Sequence, residues 1–385
     1  MRDIPCPIIE WTEGGECRFA RWRSAAGVPP PSRVQGVDDK LTADAAYRLA
    51  CEGSALLWRG DFQNARQLLQ AMARRCERSL RKSPTSNHAP AQAFHLQRMA
   101  QAQRARTLGM LLIPFDPDHR IPLRRAPDVR QACAEAHGAS GAVTEPYVAS
   151  LRELLGLIGA HEWRKKGVDI PALGARIHPH YGVFSPVRGE YVALVAAAPL
   201  PGLISANSLA FDIGTGTGVL AAVLARRGVA RIVATDLEAR ALDCARENVA
   251  RLGLSGQVVM VQADLFPPGS APLIVCNPPW VPAPPGSPLD HAVYDPDSRM
   301  LRGFLDGLSA HLAPGGEGWL ILSDLAEHLA LRSRSELLAL IEKAGLQVLS
   351  RADVRPTHRR ANDPDDPLHA ARAAEVTSLW RLGVQ

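Results

Sequence analysis

The sequence predicts an α/β protein: a doubly wound, seven-stranded sheet in the C-terminal half, preceded by a mainly helical N-terminal domain. Three observations carry this. From residue 207 onward, short apolar runs alternate with amphipathic segments of helical period, the trace that strands and crossover helices leave in a parallel sheet. The glycine-rich stretch Asp212-Ile213-Gly214-Thr215-Gly216-Thr217-Gly218 ends the first of these runs and opens a helical one. The last run, Val376–Leu382, follows no helix, so it is expected to pair antiparallel with the run at 347–354.

The elements follow in order. Residues 1–40 are rich in Gly, Pro and Arg and read as an irregular arm that docks through Trp11 and Trp22. A helix opens after Thr42 as N-cap and carries Ala46, Leu49, Ala50, Leu56 and Leu57 on one face. Arg59-Gly60-Asp61 stops it and caps a second helix bearing Phe62, Ala65, Leu68, Leu69 and Met72, with Arg74, Arg75, Arg78, Arg81 and Lys82 beyond. A third helix is expected at 90–106, then short strands at Met110–Phe115 and Ile121–Leu123, then helices near 127–137 and 145–160. Residues 41–170 therefore form the expected helical, basic accessory domain, and 171–385 the α/β domain. In the latter, Ile177–Phe184 reads as extended and 188–198 as helical. Its strands are expected at Leu209–Ile213, Arg231–Thr235, Val258–Gln262, Leu273–Cys276, Gly318–Leu322, Gln347–Val354 and Val376–Leu382.

Charge is unevenly placed. Residues 1–135 hold 21 Lys+Arg against 14 Asp+Glu, and the remainder 23 against 25. The surplus marks the N-terminal domain as the part that contacts an anionic partner, nucleic acid or the ribosome. The 7 cysteines are irregularly spaced with no C-x-x-C pair, which points to reduced thiols and to no metal or disulfide framework. No run approaches the roughly 20 apolar residues of a membrane span, and Met1–Cys6 lacks an apolar leader. A cytoplasmic protein with no membrane partner is expected; the sequence sets no oligomeric state.

The glycine stretch suits a ligand, because glycine lets the backbone approach where a Cβ would clash. Its neighbours narrow the ligand. Asp212 precedes the glycines, where a carboxylate favours an ammonium and repels a pyrophosphate. Asp236 ends the next strand, some twenty residues on, where an acid binds ribose hydroxyls. Asp264 ends the third, with Leu265 and Phe266 where an adenine packs; Leu237 after Asp236 completes the expected set. Three acids at successive strand ends beside a glycine loop mark the crevice where such sheets bind ligands.

The fourth strand runs into Asn277-Pro278-Pro279-Trp280. The lone pair of a planar amide or aromatic amine is delocalised, so an enzyme must grip its N–H group to aim that lone pair. The Asn277 side-chain oxygen and the Pro278 carbonyl can accept those hydrogens. Pro279 stiffens the turn and brings no competing N–H, and Trp280 can stack on a flat acceptor. The stretch 281–288 is expected to wall the acceptor site, with His291, Tyr294 and Asp295 within reach. His178 and His180 read as structural.

On Asp212–Gly218, Asp236, Asp264 and Asn277–Trp280, residues 175–385 resemble the class I methyltransferases with an N-P-P-[YFW] motif. Within these they are most similar to the HemK-type protein-glutamine methyltransferases and their small-domain relatives. The likeness extends to Gly303–Leu308, the turn Leu312–Gly316, and Pro186, Arg188 and Glu190. It implies S-adenosyl-L-methionine as cofactor, Asp236 on its ribose, Asp264 on its adenine and Asn277 on the accepting nitrogen. The implied acceptor is a protein glutamine; the alternative is N6 of adenine, or another exocyclic amine, in RNA or DNA. Trp280 stands where those enzymes usually carry Tyr, and their Pro-Arg-Pro-x-Thr-Glu segment is only partly present.

Overall fold

The computed structural model describes residues 7–81, 88–137, 145–187, 189–205, 208–286, 290, 292–356, 363–364 and 366–385, the side chains of 79–81 excepted. The chain divides into two units, residues 1–88 with 95–162, and residues 89–94 with 163–385.

The first unit holds more helix than strand, as expected, but its helices accompany a six-stranded sheet that the sequence pattern does not announce. Its strands are β1 (Ile8–Glu13), β2 (Glu16–Trp22), β3 (Arg33–Val37), β4 (Ser54–Trp58), β5 (Leu111–Phe115) and β6 (Tyr147–Ser150), in one sheet ordered β1-β2-β6-β5-β4-β3. Helices α1 (Ala43–Cys51), α2 (Phe62–Arg81), α3 (Pro90–Gly109), α4 (Arg130–His137) and α5 (Leu151–Lys166) connect or follow them. The expected irregular arm supplies three of the six strands: β1 and β2 pair antiparallel and bury Ile9, Trp11, Ala20 and Trp22. Thr42 does cap α1, its hydroxyl accepting from Ala45 N at 3.3 Å. The helix then ends at Cys51, because Gly53 takes φ +82°, and Leu56 and Leu57 lie in a buried strand instead. A short apolar run sealed on both faces satisfies helical and strand patterns alike. The expected helix at 145–160 likewise opens as β6, and Ile121–Leu123 forms no strand.

The second unit opens with a small hairpin, β7 (Val168–Ile170) and β8 (Ala175–Ile177), and α6 (Glu190–Ala197). Then come β9 (Leu209–Ile213), α7 (Val219–Arg226), β10 (Arg231–Asp236), α8 (Ala239–Arg251), β11 (Val258–Gln262), β12 (Ala271–Cys276), α9 (Arg299–His311) and β13 (Leu312–Ser323). The chain closes with α10 (Leu325–His328), α11 (Arg334–Lys343), β14 (Leu346–Val354), α12 (His369–Ala374) and β15 (Thr377–Val384). The sheet order is β11-β10-β9-β12-β13-β15-β14. Its first five strands are parallel, and β15 runs antiparallel to both β13 and β14. A short helix, α12, precedes β15 where none is expected.

The sheet is apolar on both sides because helices cover both. Ala210, Leu273 and Val275 point into one core, and Phe211, Ile213, Ile274 and Cys276 into the other. That two-sided burial is why these strands read as unbroken apolar runs. Helix α7 is buried along nearly its whole length, which fixes the glycine loop before it. Trp319 on β13 is fully buried, and its indole N–H donates to Glu317 at 2.9 Å. Truncating it to Ala should cost about 3–5 kcal/mol, read as a lowered urea midpoint; a shift under about 1 kcal/mol would contradict the packing.

Candidate active site

Register brings the expected residues together. Thr235 and Cys276 both pair with Ile213, so the strands flanking β9 end level with it. Gly214, Asp236 and Asn277, each one step further, open onto the same edge of the sheet. β11 pairs Gln262 with Asp236, which carries Asp264 to the next place along that edge.

The glycine turn is held from beneath. Thr215 N donates to Thr235 O at 2.8 Å, and Gly216 N to Asp236 Oδ2 at 3.0 Å. Gly216 has φ +54° and faces open space where a side chain would project. Gly218 has φ +79°, and a Cβ there would stand 3.2 Å from the backbone of Ala245, so only glycine lets α7 start against α8. Thr217 is buried, and its carbonyl accepts from Asn248 Nδ2 at 3.1 Å.

Asp212 is only 1% exposed. Its Oδ2 accepts from the Thr215 hydroxyl at 2.6 Å and from Ala221 N at 3.0 Å. Its Oδ1 is buried without a hydrogen-bond partner. Burial pushes this carboxyl up to about 6, against the pull of those two hydrogen bonds, and the nearby Asp236 pushes it further. A buried carboxylate with one oxygen unsatisfied suits a cationic ligand group, because an isolated buried charge is costly. Asp236 is half-buried, and Oδ1 accepts from Glu238 N at 3.0 Å; burial holds it above the usual carboxylate range as well. Leu237 beside it is exposed, an apolar side chain at the edge where a flat ring can lie. Leu265 adopts φ +75°, rare for a branched residue. Its carbonyl accepts from the Thr235 hydroxyl at 2.6 Å, and strain of this kind clusters at ligand sites. Asp264 is exposed and pairs with Arg299 at 2.7 Å.

At the acceptor turn the geometry adds something sequence reasoning missed. Trp280 Nε1–H donates to Asn277 Oδ1 at 2.9 Å. An indole N–H only donates, so this bond fixes which way the Asn277 amide faces. Trp280 is engaged edge-on by Asn277, and its ring packs against both cores of the sheet. Pro278 is buried and Pro279 partly so. Arg332 lies behind the turn at 7% exposure, donating at 3.3 Å to Ser298 Oγ and at 3.5 Å to the Trp280 carbonyl. Asp295 caps α9, accepting from Met300 N at 3.0 Å and Leu301 N at 3.1 Å. Of the stretch 281–288, residues 287 and 288 lie outside the described residues; Val281 and Ala283 are buried with Phe94 of the same unit, whose ring lies 6.4 Å from that of Tyr294. Arg188 and His291 lie outside the described residues. His178 and His180 bond to the Arg164 carbonyl at 2.7 Å and to Glu247 at 2.6 Å. Arg332, Phe94 and Arg299 carry no local signal: each reaches the site through a long-range contact.

Residues 174–331 match the family model described as the methyltransferase small domain. That segment is a methyltransferase small domain. S-adenosyl-L-methionine is the cofactor of this domain, and the glycine turn, the unsatisfied Asp212 oxygen and the Asp236 carboxylate fit it. The chain is similar to release factor glutamine methyltransferase of Moorella thermoacetica, at 40% identity over 28% of this chain and 41% of the relative. It is similar to ribosomal protein L11 methyltransferase of Pelotomaculum thermopropionicum, at 34% over 37% and 39%. It is also similar to ribosomal RNA small subunit methyltransferase C of Pseudomonas aeruginosa, at 32% over 40% and 43%. The chain spans about half the length of the curated relatives it matches. Among the described residues no helix is long and apolar enough to cross a membrane.

Two outcomes follow from the site. The ammonium of a bound ligand favours ionised Asp212, whose carboxyl is protonated below about pH 6. Affinity for S-adenosylhomocysteine should therefore be flat above that pH and fall by up to about tenfold per unit below it. Calorimetry across the range tests this, and affinity indifferent to pH would refute the pairing. Asp236→Ala should weaken the same ligand by roughly 10- to 100-fold, the worth of a charged hydrogen bond, with the unfolding midpoint largely kept.

Proposed function

We propose that the methyltransferase domain methylates a planar, N–H-bearing nitrogen, and that this nitrogen is the side-chain amide of a glutamine in a protein. One observation carries the reading. Asn277 Oδ1, level with the glycine turn, already accepts a planar N–H, that of Trp280. Its second lone pair lies free for an acceptor. The likeness to release factor glutamine methyltransferases supports the amide.

When bound, the cofactor supplies an electrophilic methyl group on a sulfonium. The chain's own residues hold and aim. Asp212 would take the ligand's ammonium and Asp236 its ribose hydroxyls, Leu237, Asp264 and Leu265 would border the adenine, and the glycines of Gly214–Gly218 would leave room for it. Asn277 Oδ1 and the Pro278 carbonyl accept the two amide hydrogens, which draws the nitrogen lone pair out of conjugation and toward the methyl. Pro278 and Pro279 keep the turn from yielding, and Trp280 locks the Asn277 amide by its indole N–H. Alignment and preorganised acceptors supply the rate.

A second reading has its own support: an exocyclic amine of a base in RNA or DNA, such as N6 of adenine, presents the same flat N–H. The net positive charge of the first unit and the likeness to a ribosomal RNA methyltransferase favour it. Labelled cofactor in a cell lysate separates the two. Label released by protease supports glutamine, and label released by nuclease alone ends that reading. Asn277→Ala should lower turnover by about 100-fold or more, with affinity for S-adenosylhomocysteine kept within about threefold. Undiminished turnover would remove Asn277 from its role.

A further inference from the structure

We infer that the first unit carries a built site for the sugar–phosphate strand of a nucleic acid, formed by the loop between β5 and α4. This holds whichever nitrogen the second unit methylates. The loop surrounds a cavity of about 540 Å³, within the roughly 300–1,000 Å³ that small-ligand sites span. Arg120, Arg125 and Arg130 line it against a single carboxylate, Asp128, and the apolar part is given by Pro122, Leu123 and neighbours.

The arginines are placed rather than loose. Asp61, its side chain fully buried, accepts the Nε–H of Arg125 at 2.7 Å and of Arg124 at 3.0 Å through one oxygen. Its other oxygen caps α2 through Gln63 N at 2.9 Å. The start of α2 also grips the loop backbone: Phe62 N donates to Arg124 O at 3.0 Å, and Gln63 Nε2 to Arg125 O at 3.2 Å. So held, Arg125 adopts φ +56°, and His119 at the other end of the loop adopts φ +67°, conformations costing about 1–3 kcal/mol each. The buried His119 ring meets the Tyr147 hydroxyl at 2.9 Å. Both inner anchors take Nε, and the Arg124 and Arg125 side chains remain 78% and 58% exposed, so their terminal N–H groups stay open to a ligand. Arg130 is forked on Asp128 through Nε at 2.9 Å and Nη2 at 2.6 Å, leaving Nη1. The Arg120 guanidinium makes no hydrogen bond or ion pair among the described residues; only its backbone is fixed, by Asp116 and Asp118.

Guanidinium groups fork onto phosphate oxygens, and proline and leucine faces beside them suit a ribose or base. An extended strand fits better than a free nucleotide, because the unit as a whole carries a net positive charge. The first unit holds 22 Lys+Arg against 17 Asp+Glu and the second unit 22 against 22, so the whole surplus of +5 belongs to the first. A field of that extent draws a polyanion.

The test uses the full chain and a fluorescent single strand of about 20 nucleotides, as RNA and as DNA, followed by anisotropy over a salt series. Arg120→Ala removes no hydrogen bond or ion pair among the described residues, so it should leave the unfolding midpoint unchanged while lowering the slope of log affinity against log salt by about 0.7–1. Adding Arg130→Ala should roughly double that loss, and Arg18→Ala, on β2, should leave the slope alone. A slope indifferent to Arg120 and Arg130 overturns the proposal. So does AMP competing as well as the strand, which would assign a free nucleotide, or a phosphopeptide binding where RNA and DNA do not. Calorimetry of S-adenosylhomocysteine on the same variants separates the two readings. Intact cofactor binding without strand binding sinks this site alone, and lost cofactor binding in the parent chain sinks the methyltransferase reading.

Discussion

The site depends on one registration, that of β9 between β10 and β12. Pairing Ile213 with both Thr235 and Cys276 sets the glycine turn, Asp236 and Asn277 at one height. A slip by a single residue would turn every side chain of the slipped strand to the other face. It would exchange the Phe211 and Ile213 core for Ala210 and Asp212, and take Asn277 off the edge. Burial on both faces makes such a slip prohibitive, so the packing that stabilises the sheet also fixes the reactive geometry. Asp212 shows the cost: to stand at this height it sits among apolar side chains with one oxygen unsatisfied, a burden that a cationic ligand group relieves.

Much of this half was legible in the sequence. Each of its seven main strands occurs where apolar runs placed it, and β14 and β15 pair antiparallel. Strands sealed on both faces leave an unambiguous trace, and glycines and prolines mark where they end. The position of β15 between β13 and β14 is a matter of topology that no local pattern encodes. Of the site, the glycine turn, the acids and the Asn-Pro-Pro-Trp turn were legible as neighbours on strand ends. The bond between Trp280 and Asn277 was not, since a tryptophan beside prolines reads equally well as a stacking platform. Nor were Arg299 on Asp264, or Arg332 behind the turn, which lie 35 and 52 residues away from their partners.

The sheet of the first unit is hidden in the sequence for a physical reason. β4 holds Ser54–Trp58 directly after a capped helix, and Ala55, Leu56, Leu57 and Trp58 all lie within 1% of full burial. Four buried residues in a row have no alternation to betray a strand. β1 and β2 failed differently: their polar, Gly-bounded sequence hides a hairpin that buries Ile9, Trp11, Ala20 and Trp22 on one face and leaves Ile8 and Phe19 exposed. What composition did convey was the charge, a surplus of positive groups that belongs to the first unit.

The Trp280–Asn277 bond has a thermodynamic corollary. Because the oxygen keeps its internal partner at rest, an acceptor adds one further hydrogen bond, which replaces one that water can supply. A contact that is nearly balanced between resting and loaded states contributes alignment without grip. Whatever holds the acceptor long enough to react must therefore lie away from the turn, and isolated fragments bearing only the reactive nitrogen should be held poorly.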